Sequence, residues 1–120
     1  MEEHYVEKRP WGMFEILSQF SVGDDSDVCV KKVIVNPNGR LSYQSHKQRT
    51  EHWTFVKGKG IVMLDDEEYK VFPGATITIP VGSRHRVIND SSDEVVFIEV
   101  SEGHFDENDI IRYQDEYGRL

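Results

Sequence analysis

The sequence predicts an all-β domain of the sandwich or barrel type. Between about residue 28 and residue 100, short runs of β-branched and aromatic residues alternate with turn residues, a pattern typical of these folds. No segment carries a convincing helical period longer than a turn or two, and no apolar run approaches the length of a membrane span. The 120 residues match the usual size of one domain, so we expect a single domain over residues 1–120, with one core and no membrane partner.

Proline and glycine clusters separate the predicted strands. Proline fixes φ and glycine reaches left-handed conformations, so the clusters at 36–39, 57–60, 73–74 and 80–82 each end a strand. The acidic residues 65–68 form the turn of a predicted hairpin. The predicted strands cover residues 28–35, 53–56, 61–64, 69–72, 75–79, 85–88 and 94–100.

The two ends of the chain show weaker patterns. We expect residues 1–20, with Arg9-Pro10-Trp11-Gly12 and an apolar stretch at 13–17, to form an irregular arm that packs across the sheet or onto a partner subunit. Residues 101–120 are expected to form a tail containing a short helix or an edge strand. The barrel is therefore expected over residues 28–100.

Composition narrows the classes of partner. A formal charge of -8 argues against nucleic acid, because phosphate-backbone binding needs a basic face. The single cysteine, Cys29, excludes a disulfide framework within the chain, and the N-terminus lacks the pattern of a signal peptide, so we expect a cytoplasmic protein. An anionic ligand must then be held by a few local cations.

Two stretches carry candidate metal ligands between turn residues at fixed offsets. They read Gly39-x4-Gln44-x-His46-x4-Glu51-x6-Gly58 and Gly74-x5-Pro80-x-Gly82-x2-His85-x3-Asn89. Imidazole nitrogens and a carboxylate suit a borderline divalent ion, and no thiolates mark a closed structural zinc site. We expect one divalent ion, with zinc the first choice and manganese, cobalt or nickel as alternatives. Its predicted ligands are Gln44, His46, Glu51 and His85.

Strand alternation predicts which of these side chains share a face. Gln44 and His46 point the same way, whereas Glu51 breaks the parity unless an irregularity at 47–50 resets it. Beyond that point Glu51 and Trp53 share one face and His52 lies on the other. His52 is therefore a poorer ligand, though it can support the ligands from behind.

Both halves of the pattern resemble the two motifs of the cupin superfamily, a double-stranded β-helix or jelly-roll barrel, with Gln44 standing where many members have a histidine. The resemblance runs from about residue 8 to residue 119. More narrowly, the following segments look like the type II phosphomannose isomerase cupin: Arg9-Pro10-Trp11-Gly12, Leu41-Ser-x-Gln44-x-His46-x-x-Arg49-x-Glu51-His52-Trp53, and Glu107-x-Asp109-Ile110-x-Arg112-x-x-Asp115-x-Tyr117-Gly118-Arg119.

Two features of this sequence depart from that family. Its domain commonly follows a nucleotidyltransferase with a glycine-rich loop, and these residues contain no such loop, so the resemblance implies a cupin standing alone without pyrophosphorylase activity. Asn108 stands in a tail that usually reads Glu-Asp-Asp.

The resemblance implies interconversion of mannose 6-phosphate and fructose 6-phosphate, an aldose-ketose isomerisation through an enediol. Moving a proton between adjacent carbons needs a base and an electrophile, and the metal supplies the electrophile. If Glu51 is a ligand, His52, Glu99 or an acidic group of the tail remain as bases. The catalytic candidates are Arg112, Glu51 and His52.

Substrate phosphate needs cations. Arg112, at the position of the family's tail arginine, is the first choice for a substrate contact or a catalytic role, and Arg49 and Lys47 follow. Trp53 is either a sugar-stacking platform or a core aromatic. Arg84 and Arg86 flank an inward histidine, so alternation predicts that both face away as surface charges.

Two other classes of function stay open. One is another sugar or sugar-phosphate isomerase or epimerase, and the other is a non-catalytic sugar-binding cupin. We also expect a homodimer, because jelly rolls leave strand edges to cover and an arm bearing Trp11 is suited to crossing to a second subunit.

Overall fold

The computed structural model describes residues 4–24, 26–106 and 108–119. Within those residues it contains strands and no helix, which confirms the all-β prediction. The tail residue Glu107 lies outside the described residues. The strands are β1 (Tyr5–Arg9), β2 (Gly12–Gly23), β3 (Ser26–Val35), β4 (Tyr43–Ser45), β5 (Arg49–Lys57), β6 (Gly60–Leu64), β7 (Glu67–Val71), β8 (Thr76–Ile79), β9 (His85–Ile88), β10 (Val95–Gly103) and β11 (Ile111–Gln114).

The strands form two antiparallel sheets that share one core. The first sheet has the order β1-β2-β3-β10-β5-β8 and the second has the order β11-β4-β9-β6-β7. Buried side chains of both sheets belong to one cluster, with Phe55 and Phe97 from the first sheet against Val62 and Val87 from the second. The Phe55 and Phe97 rings lie 5.0 Å apart between centroids. The two sheets therefore pack around a shared hydrophobic cluster.

Alternation of side chains works as predicted along β5. Glu51, Trp53 and Phe55 are buried, whereas His52 and Thr54 are exposed. The pattern has a period of two because successive side chains of a strand point to opposite faces. It puts the inner face of β5 against the second sheet.

The hairpin between β6 and β7 follows its turn chemistry. Asp65 and Asp66 have positive φ values of 49° and 70°. A two-residue hairpin turn needs φ above zero at both positions, and aspartate tolerates this conformation better than most residues do. The acidic turn predicted at 65–68 is thus a tight structural connection.

The N-terminal segment is more regular than expected. Instead of an irregular arm, β1 and β2 form an antiparallel hairpin, and β2 pairs along β3 with register shifts between Ile16 and Ser18 and between Ser21 and Gly23. Trp11, expected to reach a second subunit, is 7% exposed and belongs to the core of its own chain. The strand structure therefore extends beyond the expected barrel bounds of 28–100.

The C-terminal segment contains the predicted edge strand. β11 pairs with β4 at the end of the second sheet. This pairing brings Arg112 next to Gln44.

In the part of the chain that the structure describes, no helix has the length and apolar character needed to cross a membrane.

Candidate metal centre and active site

A cavity of about 540 Å³ lies between the two sheets. Its walls come from the hairpin β1–β2, from β3, β5 and β10 of the first sheet, and from β4, β11 and the segment 106–110 on the other side. Gln44, His46 and Glu51 are among the lining residues. The elements that sequence alone placed at the two ends of the chain therefore complete this cavity.

Three of the four predicted ligands converge at the base of the cavity. His46 follows β4, Glu51 lies on β5 and His85 begins β9, and one ligand atom from each lies within 4.8 Å of the others. Their exposed fractions are 3%, 2% and 2%. Strands from both sheets thus hold two imidazoles and a carboxylate in one buried cup.

The hydrogen bonds of His85 leave one ring nitrogen free for a ligand role. Its Nδ1 lies 2.9 Å from the carbonyl oxygen of Ser83, which can only accept, so the proton sits on Nδ1. Nε2 is buried and has no hydrogen-bond partner within the described residues. Burial lowers the pKa of His85, which keeps the ring neutral and Nε2 basic.

His46 is held by a different contact. Its Nε2 accepts a hydrogen bond of 2.8 Å from the Arg49 guanidinium, because arginine is only a donor. Nδ1 lies 3.3 Å from Glu51 Oε2 and is buried without a hydrogen-bond partner among the residues that the structure describes. Burial, with Arg49 and His85 nearby, lowers the pKa of His46 to about 3. Both histidines are therefore neutral.

Two side chains on its own strand orient Glu51. Trp53 Nε1 donates a hydrogen bond of 2.9 Å to Oε1, and Arg49 Nε donates one of 3.1 Å to Oε2. Trp53 is 2% exposed, so it is a core aromatic beneath the cup. Its indole positions Glu51, and because Trp53 also lines the cavity, its role as a sugar-stacking platform stays a prediction.

The donor set fits a divalent ion. Buried polar atoms in native proteins almost always have partners, so the unpartnered lone pair of His85 Nε2 calls for an electrophile in the cup, where the Arg49 guanidinium, a cation, already takes the lone pair of His46 Nε2. Gln44 lines the same cavity, and its Oε1 accepts a hydrogen bond of 2.5 Å from Ser42. Nitrogen and oxygen donors without thiolate suit several divalent ions.

Arg112 lies beside this cup. Strand pairing puts Arg112 of β11 opposite Gln44 of β4, and Gln44 opposite His85 of β9. The Arg112 side chain lines the cavity, and its Nε is buried with no hydrogen-bond partner in the described part of the chain. Arg112 therefore lies at the candidate site, and its Nε–H is available to a bound molecule.

Glu99 is a buried carboxyl group of the cavity that lies next to Glu51. It lies on β10, is 8% exposed and accepts a hydrogen bond of 2.8 Å from Ser101. Burial and the neighbouring Glu51 carboxylate raise the pKa of Glu99 to about 7. Sequence reasoning named Glu99 only as one of several bases, because alternation along β10 alone does not reveal which wall it faces.

His52 and Lys47 are not brought into the cavity. The His52 ring is exposed on the opposite face of β5, with Nε2 3.0 Å from Glu102 Oε1, because residue 52 has the other parity from Glu51. The Lys47 side chain is exposed, and its backbone amide donates to Asp109. The structure therefore does not place His52 as a catalytic group or Lys47 as a substrate contact in this chain.

The segment before β5 contains the predicted irregularity. Lys47 and Gln48 form a bend, whereas residues 49 and 50 already belong to β5. The backbone amides of Lys47 and Gln48 donate hydrogen bonds of 2.8 and 2.9 Å to the Asp109 carboxylate. Asp109 was not assigned a role from sequence, since its contact spans 61 residues.

Arg86 corrects the expectation of a surface charge. It is 2% exposed, donates to the Leu41 carbonyl at 2.9 Å and to Gln114 at 3.2 Å, and pairs with Glu116. The reason is that β11 and the following turn cover the face to which Arg86 points. Its neighbour Arg84 remains partly exposed and pairs with Asp66, as expected for a surface charge.

Asn89, the last residue of the second motif, serves the fold. Its Nδ2 donates to the carbonyl oxygens of Val35, Asn36 and Asp93 at 3.1, 3.1 and 2.8 Å. Gly58, the last residue of the first motif, has φ 79°, and a Cβ there would lie 2.2 Å from the Glu94 carbonyl oxygen. These motif positions therefore build the barrel around the metal cup.

The two antiparallel sheets and the histidine–carboxylate cup define a cupin domain with a candidate divalent-metal site. The chain belongs to the family described as mannose-6-phosphate isomerase C-terminal, whose model matches residues 1–115.

Curated relatives are longer proteins. The chain is 36% identical over 119 residues to the alginate biosynthesis protein AlgA of Pseudomonas aeruginosa, covering 98% of this chain and 24% of that protein. It is 33% identical over 122 residues to the mannose-1-phosphate guanylyltransferase ManC of Salmonella typhimurium, again covering 98% and 24%. The chain thus spans about a quarter of the length of these relatives.

Solved structures agree on the fold. The capsular polysaccharide assembling protein CapF from Staphylococcus aureus superposes with a TM-score of 0.79 at 21% identity, over 96% of this chain and 33% of that one. A cupin-2 domain from Rhodospirillum rubrum superposes with a TM-score of 0.67 at 19% identity, over 88% and 78% of the two chains. At such identities the likeness shows the cupin fold alone.

Proposed function

We propose that this domain is a metal-dependent aldose-ketose isomerase that interconverts mannose 6-phosphate and fructose 6-phosphate. The observation that carries the proposal is the cup of His46, Glu51 and His85 opening into a cavity that also holds Arg112 and Glu99. Membership of the mannose-6-phosphate isomerase C-terminal family supports the choice of reaction. Some fold neighbours are described as sugar phosphate isomerases, although their likeness to this chain concerns the fold.

The residues of the candidate metal site have two roles, which are to bind the ion and to hold the ligands in place. Gln44, His46, Glu51 and His85 would hold a divalent ion, which when bound polarises the carbonyl and hydroxyl oxygens of the substrate. Trp53 and Arg49 keep the Glu51 carboxylate in place, since each donates a hydrogen bond to it. This leaves Glu51 little freedom to act as a base.

Glu99 is the carboxyl group best placed to move the proton. It lines the cavity beside Glu51, whereas His52 is on the outer face of β5, and the tail carboxylates Asp106 and Asp109, which also line the cavity, accept hydrogen bonds from backbone amides. Taking the proton from C2 and returning it to C1 requires one group that can reach both neighbouring carbons. Arg112, whose buried Nε–H has no hydrogen-bond partner among the described residues, would stabilise the negative charge on the enediol oxygens.

Two alternative functions predict different results in an activity assay. Another sugar-phosphate isomerase or epimerase would use the same cup on a different sugar, and a non-catalytic sugar-binding cupin would bind without turnover. The expected cytoplasmic location and homodimer stay predictions.

A coupled assay for fructose 6-phosphate formed from mannose 6-phosphate tests the proposal. The chain is loaded with zinc, manganese, cobalt or nickel, and compared with the His46→Ala, His85→Ala double variant. We expect turnover in the wild type, a large loss in Glu99→Gln, and little change in Glu102→Gln, whose carboxylate is exposed. Absence of turnover above the double variant with every ion would refute the isomerase.

A further inference from the structure

Five cationic side chains line the cavity, and most already have a tight acidic partner. The five are Arg9, Lys31, Arg49, Arg112 and Arg119. Arg9 pairs with Glu7 at 2.5 Å, Arg49 with Glu51 at 3.1 Å and Arg119 with Asp115 at 2.9 Å. The charge available to an anionic ligand therefore comes mainly from Lys31 and Arg112.

Lys31 projects from β3 into the cavity. Its side chain is 21% exposed, and its Nζ lies 4.0 Å from Glu99 Oε2, which is beyond hydrogen-bonding distance. The ammonium also lies 4.7 Å from the centroid of the Phe14 ring, a favourable cation–π contact. The apolar ring holds the lysine in place without using its hydrogen-bond donors.

Lys31 and Arg112 lie at different positions relative to the cup of metal ligands. Arg112 is the strand neighbour of the candidate ligand Gln44, so it lies at the reacting end of a bound sugar. Lys31 pairs with Glu99 on β10, and β10 pairs in turn with β5, which carries Glu51. Two strand spacings separate the backbones of β3 and β5 by about 10 Å, with β10 and Glu99 between them, so a sugar that extends from the cup past Glu99 presents its phosphate to Lys31.

We propose that Lys31, packed on Phe14, binds the phosphate group of the hexose 6-phosphate, while the cup and Arg112 hold its C1–C2 end. The proposal rests on the proposed function for the identity of the sugar. The phosphate oxygens would accept hydrogen bonds from the Lys31 ammonium. Because the cavity is partly buried, these charge-assisted hydrogen bonds would be stronger than at the protein surface. Lys31 is then a substrate-binding residue that selects phosphorylated over neutral sugars.

Lys32 provides a matched control on the same strand. It points to the other face of β3, is 40% exposed, and pairs with Glu15 at 3.3 Å. It does not line the cavity. Lys32→Met therefore removes the same charge from the same strand without touching the proposed subsite.

The test measures binding of mannose 6-phosphate and of mannose to the metal-loaded chain by isothermal titration calorimetry. We expect Lys31→Met to weaken mannose 6-phosphate binding about 10- to 100-fold, as for loss of a hydrogen bond to a charged group, and to leave mannose binding unchanged. Lys31→Arg should retain most of the affinity and Lys32→Met all of it. Thermal unfolding of each variant checks that it folds, and Lys31→Gln replaces Lys31→Met if the latter does not.

Failure of this inference differs from failure of the proposed function. If Lys31→Met binds mannose 6-phosphate as Lys32→Met does, the subsite is refuted even where turnover is intact. If the wild type binds mannose 6-phosphate without turnover and Lys31→Met loses that binding, the subsite stands and the isomerase falls. A wild type that does not prefer mannose 6-phosphate over mannose also refutes the subsite.

Discussion

The indole nitrogen of Trp53 donates a buried hydrogen bond of 2.9 Å to Oε1 of Glu51, two residues earlier on β5. The two side chains share the inner face of the strand, so the contact follows directly from strand parity. It holds one carboxylate oxygen and leaves Oε2 beside His46 Nδ1 and Arg49 Nε. Groups that orient a metal ligand in this way tune its affinity for the ion.

Removing that hydrogen bond should weaken metal binding. We expect Trp53→Phe to lower metal affinity about 10- to 100-fold, because Glu51 loses the donor that orients it. Competition with a chromogenic chelator measures the affinity. Trp11→Phe is the control, since Trp11 is also a buried indole, whereas the indole that donates to Glu51 is that of Trp53. Equal affinities in the two variants would contradict the orienting role.

Substitution of His85, which lies in the cup, and of His52, which lies on the outer face of β5, should affect metal binding differently. His85→Ala should abolish metal binding, because its free Nε2 faces the cup. His52→Ala should leave the metal content unchanged, since its ring lies outside and contacts Glu102. Metal analysis of the two purified variants by mass spectrometry provides the comparison, and metal loss in His52→Ala would show that the face assignment is wrong.

Strand parity explains how much of the site the sequence could reveal. Once an irregularity before β5 is assumed, the period of two puts Glu51 inside and His52 outside, and both positions are confirmed. The same reasoning places His85 inside. These predictions need only local alternation and the turn residues that bound each strand.

Features that depend on distant pairing could not be predicted. Arg86 has the parity of an outward residue, yet contacts with Leu41 and Gln114, which are 45 and 28 residues away, bury it. The hairpin β1–β2 has many polar residues, and its pairing with β3 organises it. Local alternation carries no information about which segment will cover a given face.

Arg86 should be a major anchor of the C-terminal strand. We expect Arg86→Met to destabilise the fold by about 1–3 kcal/mol, because the Leu41 carbonyl loses its donor from a buried guanidinium. Arg84→Met should cost less than about 1 kcal/mol, since its ion pair with Asp66 is solvent-exposed. Urea unfolding measures both, and hydrogen exchange should report faster opening of β11 in Arg86→Met. Similar losses in the two variants would contradict the anchoring role.

The N-terminal hairpin is the surface through which we expect the homodimer to form. β1 is the outermost strand of its sheet, and Phe20 and Val22 on β2 are 49% and 59% exposed. A lysine at either position should lower the dimer fraction in sedimentation velocity, because a charge would enter an apolar contact. Phe72→Lys is the control, as Phe72 is 54% exposed but lies after β7. A wild type that is monomeric at all concentrations would contradict this prediction.

The pKa of Glu99 predicts how pH affects the stability of the metal-free protein. Burial and the Glu51 carboxylate raise it from the ordinary 4.5 to about 7, so the folded state favours the protonated form. The full stability contribution is present below about pH 4.5 and is lost as pH rises through about 7. The rise of the pKa from 4.5 to about 7 means that, above pH 7, the folded protein has lost about 3 kcal/mol of the stability that it has below pH 4.5.

Comparison with Glu99→Gln isolates this contribution from the histidines. His46 has the opposite effect, because its pKa is lowered to about 3 and its protonation at acid pH favours unfolding. That effect is common to the wild type and Glu99→Gln, so it cancels in their difference. We expect the wild type to lose stability relative to Glu99→Gln between pH 5 and pH 8 in urea unfolding with a chelator present. A difference that is independent of pH would mean that Glu99 is ionised throughout, since only a carboxyl group that changes its protonation within this range makes the two proteins diverge.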